Sequence, residues 1–170
     1  VADDAEVRAA TVDDAAAIAD VHVAAWRAAY RGIVSDEAIA ARDERTRTHQ
    51  WRGNLVNPGT LVAMRYGVVV GFASAGAAHR EGEEEHGELY ALYVHPDEWG
   101  GGVADALIEA AEAELRSAGF GEAVLWVFAQ NPRARRFYER NGWHDDGGRD
   151  VFDGDGSNAP IARHRKRLAE

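Results

Sequence analysis

The chain has 170 residues, a formal net charge of −10 and no cysteine, which removes disulfides, thiolate metal sites and a cysteine nucleophile together. That length buries about two-thirds of the unfolded surface, enough for one domain with no metal or disulfide staple. The acidic balance argues against general nucleic-acid binding. With no signal-peptide pattern and no apolar run near the ~18 residues of a membrane helix, residues 1–170 read as a single soluble domain in the cytoplasm.

In chain order, Glu6 to Ala9 reads as a short strand, and Thr11 as a helix N-cap with Asp13 and Asp14 in the first turn. Ile18, Val21, His22, Ala25, Trp26 and Ala29 recur at three- and four-residue spacing, so Trp26 lies on an apolar helix face and Tyr30 follows one turn later. Gly32 ends that helix. Ser35, with Asp36 and Glu37 behind it, caps a more polar helix expected to reach Gly53, and Asn57-Pro58-Gly59 is a turn. Thr60–Met64 and Val68–Ala77, joined at Arg65-Tyr66-Gly67, read as a hairpin whose second strand is apolar enough to be central. The stretch His79 to His86, with Glu83, Glu84 and Glu85 inside it, reads as a solvated loop because its charges cannot be buried unpaired.

Glu88 opens an apolar, aromatic strand over Leu89–Val94 that stops before Pro96. Gly100, Gly101, Gly102, Val103 and Ala104 are expected to form the first turn of a helix reaching Ala118, with Val103, Leu107, Ala110, Ala111, Glu114 and Leu115 along one face and Gly119 as its C-cap. The leading amides of such a helix have no intrahelical partner, and that end of a helix binds phosphate. Ala123–Phe128 is another buried strand, and Asn131 caps a short helix with Pro132 at its first position, ending before Asn141-Gly142. Trp143–Phe152 and Ile161–Leu168, either side of a turn at Asp153 to Asn158, read as an antiparallel pair. The order β-α-α-β-β-β-α-β-α-β-β, with no repeat or linker, predicts one mixed α/β domain.

The glycine cluster fits neither of two familiar phosphate motifs. A P-loop needs Lys-Ser or Lys-Thr after its last glycine, where Val103-Ala104 stands, and a Rossmann fingerprint comes after a first strand with an acidic residue ending the next one. His22, His79 and His86 lack metal-ligand spacing, so no metal is expected.

Trp99-Gly100-Gly101-Gly102-Val103-Ala104 instead resembles the acetyl-CoA motif Gln/Arg-x-x-Gly-x-Gly/Ala of the GNAT superfamily of N-acetyltransferases. Leu92-Tyr93-Val94-His95-Pro96 before it and Asn131-Pro132-x-Ala134-x-x-Phe137-Tyr138-x-x-x-Gly142-Trp143 after it are similar to neighbouring segments of that family, in order and spacing. The resemblance implies a mixed, mostly antiparallel sheet with helices on both faces, and transfer of an acetyl group from acetyl-CoA to a primary amine by direct attack. It also implies that the thioester meets backbone near Leu92, Tyr93 and Val94, where the family's strand bulges and splays. The diphosphate would meet Gly100 to Ala104, with Asn131 and Phe137 also at the cofactor, although Asn131 is equally explained as a cap. Tyr138 matches the family's proton donor to the thiolate, and Glu88 lies where several relatives carry a glutamate base. Trp26 and Tyr30 fall in the segment that often walls the acceptor. Trp99 departs from the pattern and forfeits the usual side-chain contact to the diphosphate, which keeps a non-catalytic acyl-CoA sensor as an alternative. The acidic balance leans toward a cationic small-molecule or peptide amine as partner, with no nucleic acid, no membrane and a homodimer left open.

Overall fold

In the computed structural model, residues 5–152 and 158–168 are described. They form one seven-stranded sheet built from β1 (Glu6–Ala9), β2 (Thr60–Arg65), β3 (Val68–Ala77), β4 (Gly87–Val94), β5 (Glu122–Phe128), β6 (His144–Phe152) and β7 (Ala159–Arg167). The strand order is β1-β2-β3-β4-β5-β7-β6, and β4–β5 is the one parallel pair among these neighbours. A parallel pair needs a crossover, which α4 (Val103–Ser117) supplies. β3 lies third in the sheet, as its apolar composition predicts. β7, with Ala159, Ile161, Ala162 and His164 buried, slips between β5 and the largely exposed β6, so the polar strand takes the edge. The turn expected at Asp153 to Asn158 lies, apart from its last residue, outside the described residues.

The sheet divides the core. Leu89, Val94, Leu107 and Leu115 pack between one face and α4, while Ile18, Trp51, Val62 and Phe72 pack between the other face and α1 (Ala15–Ala29) with α3 (Glu44–Asn54). At the N-terminus of α1, the Asp14 carboxylate accepts from the Thr11 amide at 2.8 Å and from both ends of the Arg8 guanidinium at 2.8 Å. The polar helix expected from Ser35 to Gly53 is broken into α2 (Asp36–Ala40) and α3. Asp43, in extended conformation, turns its carboxylate onto the Thr46 amide at 2.8 Å and starts a new helix there. The Glu83 side of the His79–His86 loop is not solvated: Glu83 is 5% exposed and ion-paired with Arg163.

Along α4 the buried face carries Ile108 and Glu112, while Glu114 is exposed. Glu112 earns its place inside by accepting from the Trp143 indole at 2.9 Å and from Lys166, the only lysine, at 2.9 Å to each oxygen.

Candidate active site

β4 and β5 pair at Gly87↔Ala123, Glu88↔Val124 and Leu89↔Leu125, and the ladder stops there. Against β3, Ser74 faces Ala91 while Ala75 faces Leu89, so Tyr90 is an extra residue, a bulge. The bulge therefore sits at Tyr90, upstream of the Leu92–Val94 position that the resemblance implies. It also resets the strand's phase: Leu89, Leu92 and Val94 join the α4 core, whereas Ala91 and Tyr93 pack against the α1/α3 side. Beyond Leu89 the β5-facing edge of β4 has no strand beside it among the described residues. A cleft of about 830 Å³ opens there, lined from β4, β5, α1, α4 and α5 (Pro132–Arg140), a size suited to a ligand of cofactor dimensions.

The glycine loop stands at one end. Helix α4 begins at Val103, so Gly100, Gly101 and Gly102 form the loop that feeds it rather than its first turn. Gly100 and Gly102 have φ of 82° and 85°, a left-handed backbone that side chains disfavour. Arg65 pins the loop by donating to Glu98 and to the Gly101 carbonyl, each at 2.7 Å. Gly100, Gly102, Val103 and Ala104 line the cleft; Gly101 does not, and its amide already donates to the Glu98 carbonyl at 3.2 Å. The amides of Gly102, Val103 and Ala104 precede the helical ladder and remain free of i−4 partners.

Trp99 has a structural task here. Its indole N–H donates to the Val94 carbonyl at 2.9 Å, tying the loop to the end of β4. The Arg133 guanidinium, from the first turn of α5, stacks on the indole with Cζ 3.6 Å from the ring centroid. A cation thus reaches the corner where the family motif has Gln or Arg. Sequence reasoning missed Arg133, since nothing in its local pattern links it to Trp99. Asn131 lines the cleft and caps α5, its Oδ1 accepting from the Ala134 amide at 3.2 Å, and Phe137 lines the same wall.

Three tyrosines meet in the middle. The Tyr30 and Tyr93 hydroxyls lie 3.0 Å apart, and Tyr138 is close enough to couple electrostatically with both. Burial pushes each phenol above its ordinary pKa, with Tyr93 adding to the shift at Tyr138, so all three stay protonated at working pH. Glu88 lines the cleft from the start of β4. Its Oε1 is buried without a hydrogen-bond partner, and desolvation, helped by the nearby Glu83 charge, raises its pKa. The Trp126 Nε1 donor in the same wall is also buried and unpartnered.

Trp26 and Tyr30 both line the cleft, as predicted. Trp26 is only 4% exposed and its face is covered by Arg42, whose Cζ lies 3.8 Å from the ring centroid, so it shapes the wall from behind. His22 is held neutral, its pKa pushed down to about 3 by burial and by the charges of Arg47 and Arg42, and its Nδ1 accepts from the Trp51 indole at 3.2 Å. His79 stacks on Tyr90 with ring centroids 5.0 Å apart.

Comparison with known proteins agrees with this geometry. Residues 18–143 match the acetyltransferase (GNAT) family. The chain is 34% identical over 127 residues to the uncharacterized N-acetyltransferase YuaI of Bacillus subtilis, covering 74% of this chain and 73% of that one. It is 34% identical over 126 residues to the mycothiol acetyltransferase of Propionibacterium freudenreichii, covering 73% of this chain and 39% of that longer protein. The fold superposes on the PaiA N-acetyltransferase of Thermoplasma acidophilum, solved in complex with coenzyme A, with a TM-score of 0.71 at 23% identity, over 96% of this chain and 99% of that one. A match across most of the chain, an open β4 edge and a glycine loop at its end lead to one conclusion: the chain belongs to the GNAT family of acetyltransferases.

Proposed function

We propose that this protein transfers an acetyl group from acetyl-CoA to a primary amine by direct attack while both substrates are bound. The observation that carries the proposal is the unpaired β4 edge beyond Leu89, which runs to the free amides of Gly102, Val103 and Ala104 and is overlooked by Tyr138. The pantetheine arm would pair with that edge as an added strand does, and the diphosphate would sit on the loop amides beside Arg133. Groups other than residue 99 are thus available to hold the cofactor, and the presence of Glu88 and Tyr138 in the same cleft favours a working enzyme over a bare sensor.

Each residue then has a task. An alkyl amine is mostly protonated near neutrality, its pKa being about 10.4 for a lysine-like group. Glu88, desolvated and with one oxygen unpartnered, takes its proton directly or through water. Backbone N–H on the open edge of β4 stabilises the oxyanion as the N–C bond forms. Tyr138 hydrogen-bonds the sulfur as the C–S bond breaks. Outright transfer from a phenol of raised pKa to a thiolate of pKa about 8.5 runs uphill, so that hydrogen bond is its main contribution.

Thermal denaturation with and without acetyl-CoA, followed by a thiol-release assay across an amine panel, tests the proposal. A higher melting temperature together with CoA release supports it. No stabilisation by acetyl-CoA refutes it, and stabilisation without release across the panel favours the sensor.

A further inference from the structure

The start of β4 and the middle of β5 hold two polar groups of opposite character side by side. Glu88 lies beside Val124 in the parallel ladder, and Trp126 stands two residues further along β5. Leu89 and Leu125 point to the α4 core, so Glu88 and Trp126 project from the other face of the sheet. Both line the cleft, and both have a buried atom without a hydrogen-bond partner, Oε1 of Glu88 and Nε1 of Trp126. Other indoles in the chain are satisfied: Trp51 donates to His22 at 3.2 Å, Trp99 to the Val94 carbonyl at 2.9 Å and Trp143 to Glu112 at 2.9 Å. An indole N–H can only donate and an ionised carboxylate only accept, yet these two are not bonded to each other. The Trp126 ring is also held in place. The Arg80 guanidinium stacks on it with Cζ 4.1 Å from the centroid and is itself ion-paired with Asp150. Arg163, opposite Trp126 on β7, is anchored by Glu83 and Asp146. A donor fixed in this way is preorganised for a ligand.

Resting on the acetyl-transfer reading, we infer that the acceptor is an α-amino amide, the group that amino-acid amides and peptide amino termini share, and that the Trp126 N–H selects it by binding the carbonyl oxygen. Glu88, the proposed base, receives the amine end. Neighbouring strands lie about 4.8 Å apart and two residues advance about 6.6 Å, which separates the two Cα atoms by about 8 Å. A ligand whose donor and acceptor are three bonds apart, as in N–C–C=O, is short enough to serve both groups. A plain alkylamine leaves the indole donor unsatisfied in dry surroundings, and that is the origin of the discrimination. An amine placed here approaches the open β4 edge from the side on which Ala91 and Tyr93 pack, leaving the α4 side to the cofactor.

The test compares amines of similar size and basicity: glycinamide and alaninamide against propargylamine and its α-methyl derivative, which lack the oxygen. CoA release is the readout, and acetyl-CoA stabilisation is the separate control on the cofactor site. At least one amide is expected to show about tenfold higher kcat/KM than its alkyne, the equivalent of about 1.4 kcal/mol. Dipeptide amides in the same series show which source of the shared group is preferred. W126F keeps an aromatic ring without the N–H and should bring the amide-to-alkyne ratio close to one, its folding being checked by stabilisation with acetyl-CoA. Equal rates for amide and alkyne in every pair, or a W126F ratio unchanged from the parent, overturns the inference while leaving the transferase reading intact. A parent protein that acetyl-CoA fails to stabilise refutes that reading and this inference with it. If no acceptor turns over, or W126F does not fold, the indole N–H resonances of protein with isotope-labelled tryptophan decide the matter with CoA present. The amide must move one of them downfield where the alkyne does not, and no such movement refutes the inference.

Discussion

Replacing Glu88 by glutamine should make the protein a poorer enzyme and a more stable fold. The side chain opens β4 with Oε1 buried and unpartnered, so above its raised pKa the native state holds a charge that it solvates badly. Leaving a buried polar group unsatisfied costs roughly 1–3 kcal/mol, more when it is charged, and the amide of glutamine keeps an unpartnered polar atom but sheds the charge. Because part of this side chain still reaches the cleft, the lower end applies, and neutralising it should recover about 1 kcal/mol, or roughly 2–4 °C in melting temperature for a chain of this size. The sign follows from linkage: a carboxyl whose folded pKa is raised binds its proton more tightly when folded. Its stability penalty is therefore full above the folded pKa and disappears as pH falls below the unfolded value. The gain from E88Q should be seen at pH 8 and close at acid pH. Catalysis moves the other way. Loss of a general base costs about 10²–10⁴ in rate, and the acid limb of the kcat/KM profile, set by the raised Glu88 pKa, should vanish. Denaturation scans and pH–rate profiles on one preparation measure both. An acid limb retained in E88Q, or a melting temperature that falls at pH 8, would refute the reasoning.

Three other substitutions follow from the same geometry. Tyr138→Phe removes a hydrogen bond to a charged sulfur worth about 1.5–3 kcal/mol, so kcat should fall at least about tenfold while CoA affinity, measured by calorimetry, is nearly unchanged. An unaltered kcat excludes the role. Arg133→Ala takes the cation from the face of Trp99 and should weaken CoA binding several-fold, with a smaller loss for a CoA fragment lacking the diphosphate; equal losses for both would show a packing role instead. Lys166→Met leaves Glu112 with the Trp143 indole and Arg116, whose Nη2 is 3.7 Å away. Breaking a buried pair costs about 3–5 kcal/mol, and partial exposure of Lys166 with the remaining Arg116 reduces this to about 2 kcal/mol, or roughly 4–8 °C. A shift under 1 °C would show that the lysine contributes nothing.

The sequence by itself determined the strands, their order along the chain and every helix but the division of one into α2 and α3, because helix caps, glycine stops and hydrophobic periods are local signals. Thr11, Asn131 and Gly119 stand where their chemistry predicts, and the glycine loop was legible from its spacing. The break at Asp43 escaped notice because a carboxylate reaching its own third following amide competes with a helix only by a small margin. Tertiary structure alone decided what lies opposite what. Arg133 meets Trp99 only once α5 folds against the end of β4, and Glu83 meets Arg163 across 80 residues of chain. The bulge at Tyr90 decides which β4 side chains face the cleft, since one extra residue reverses an alternation of period two and no composition reveals it.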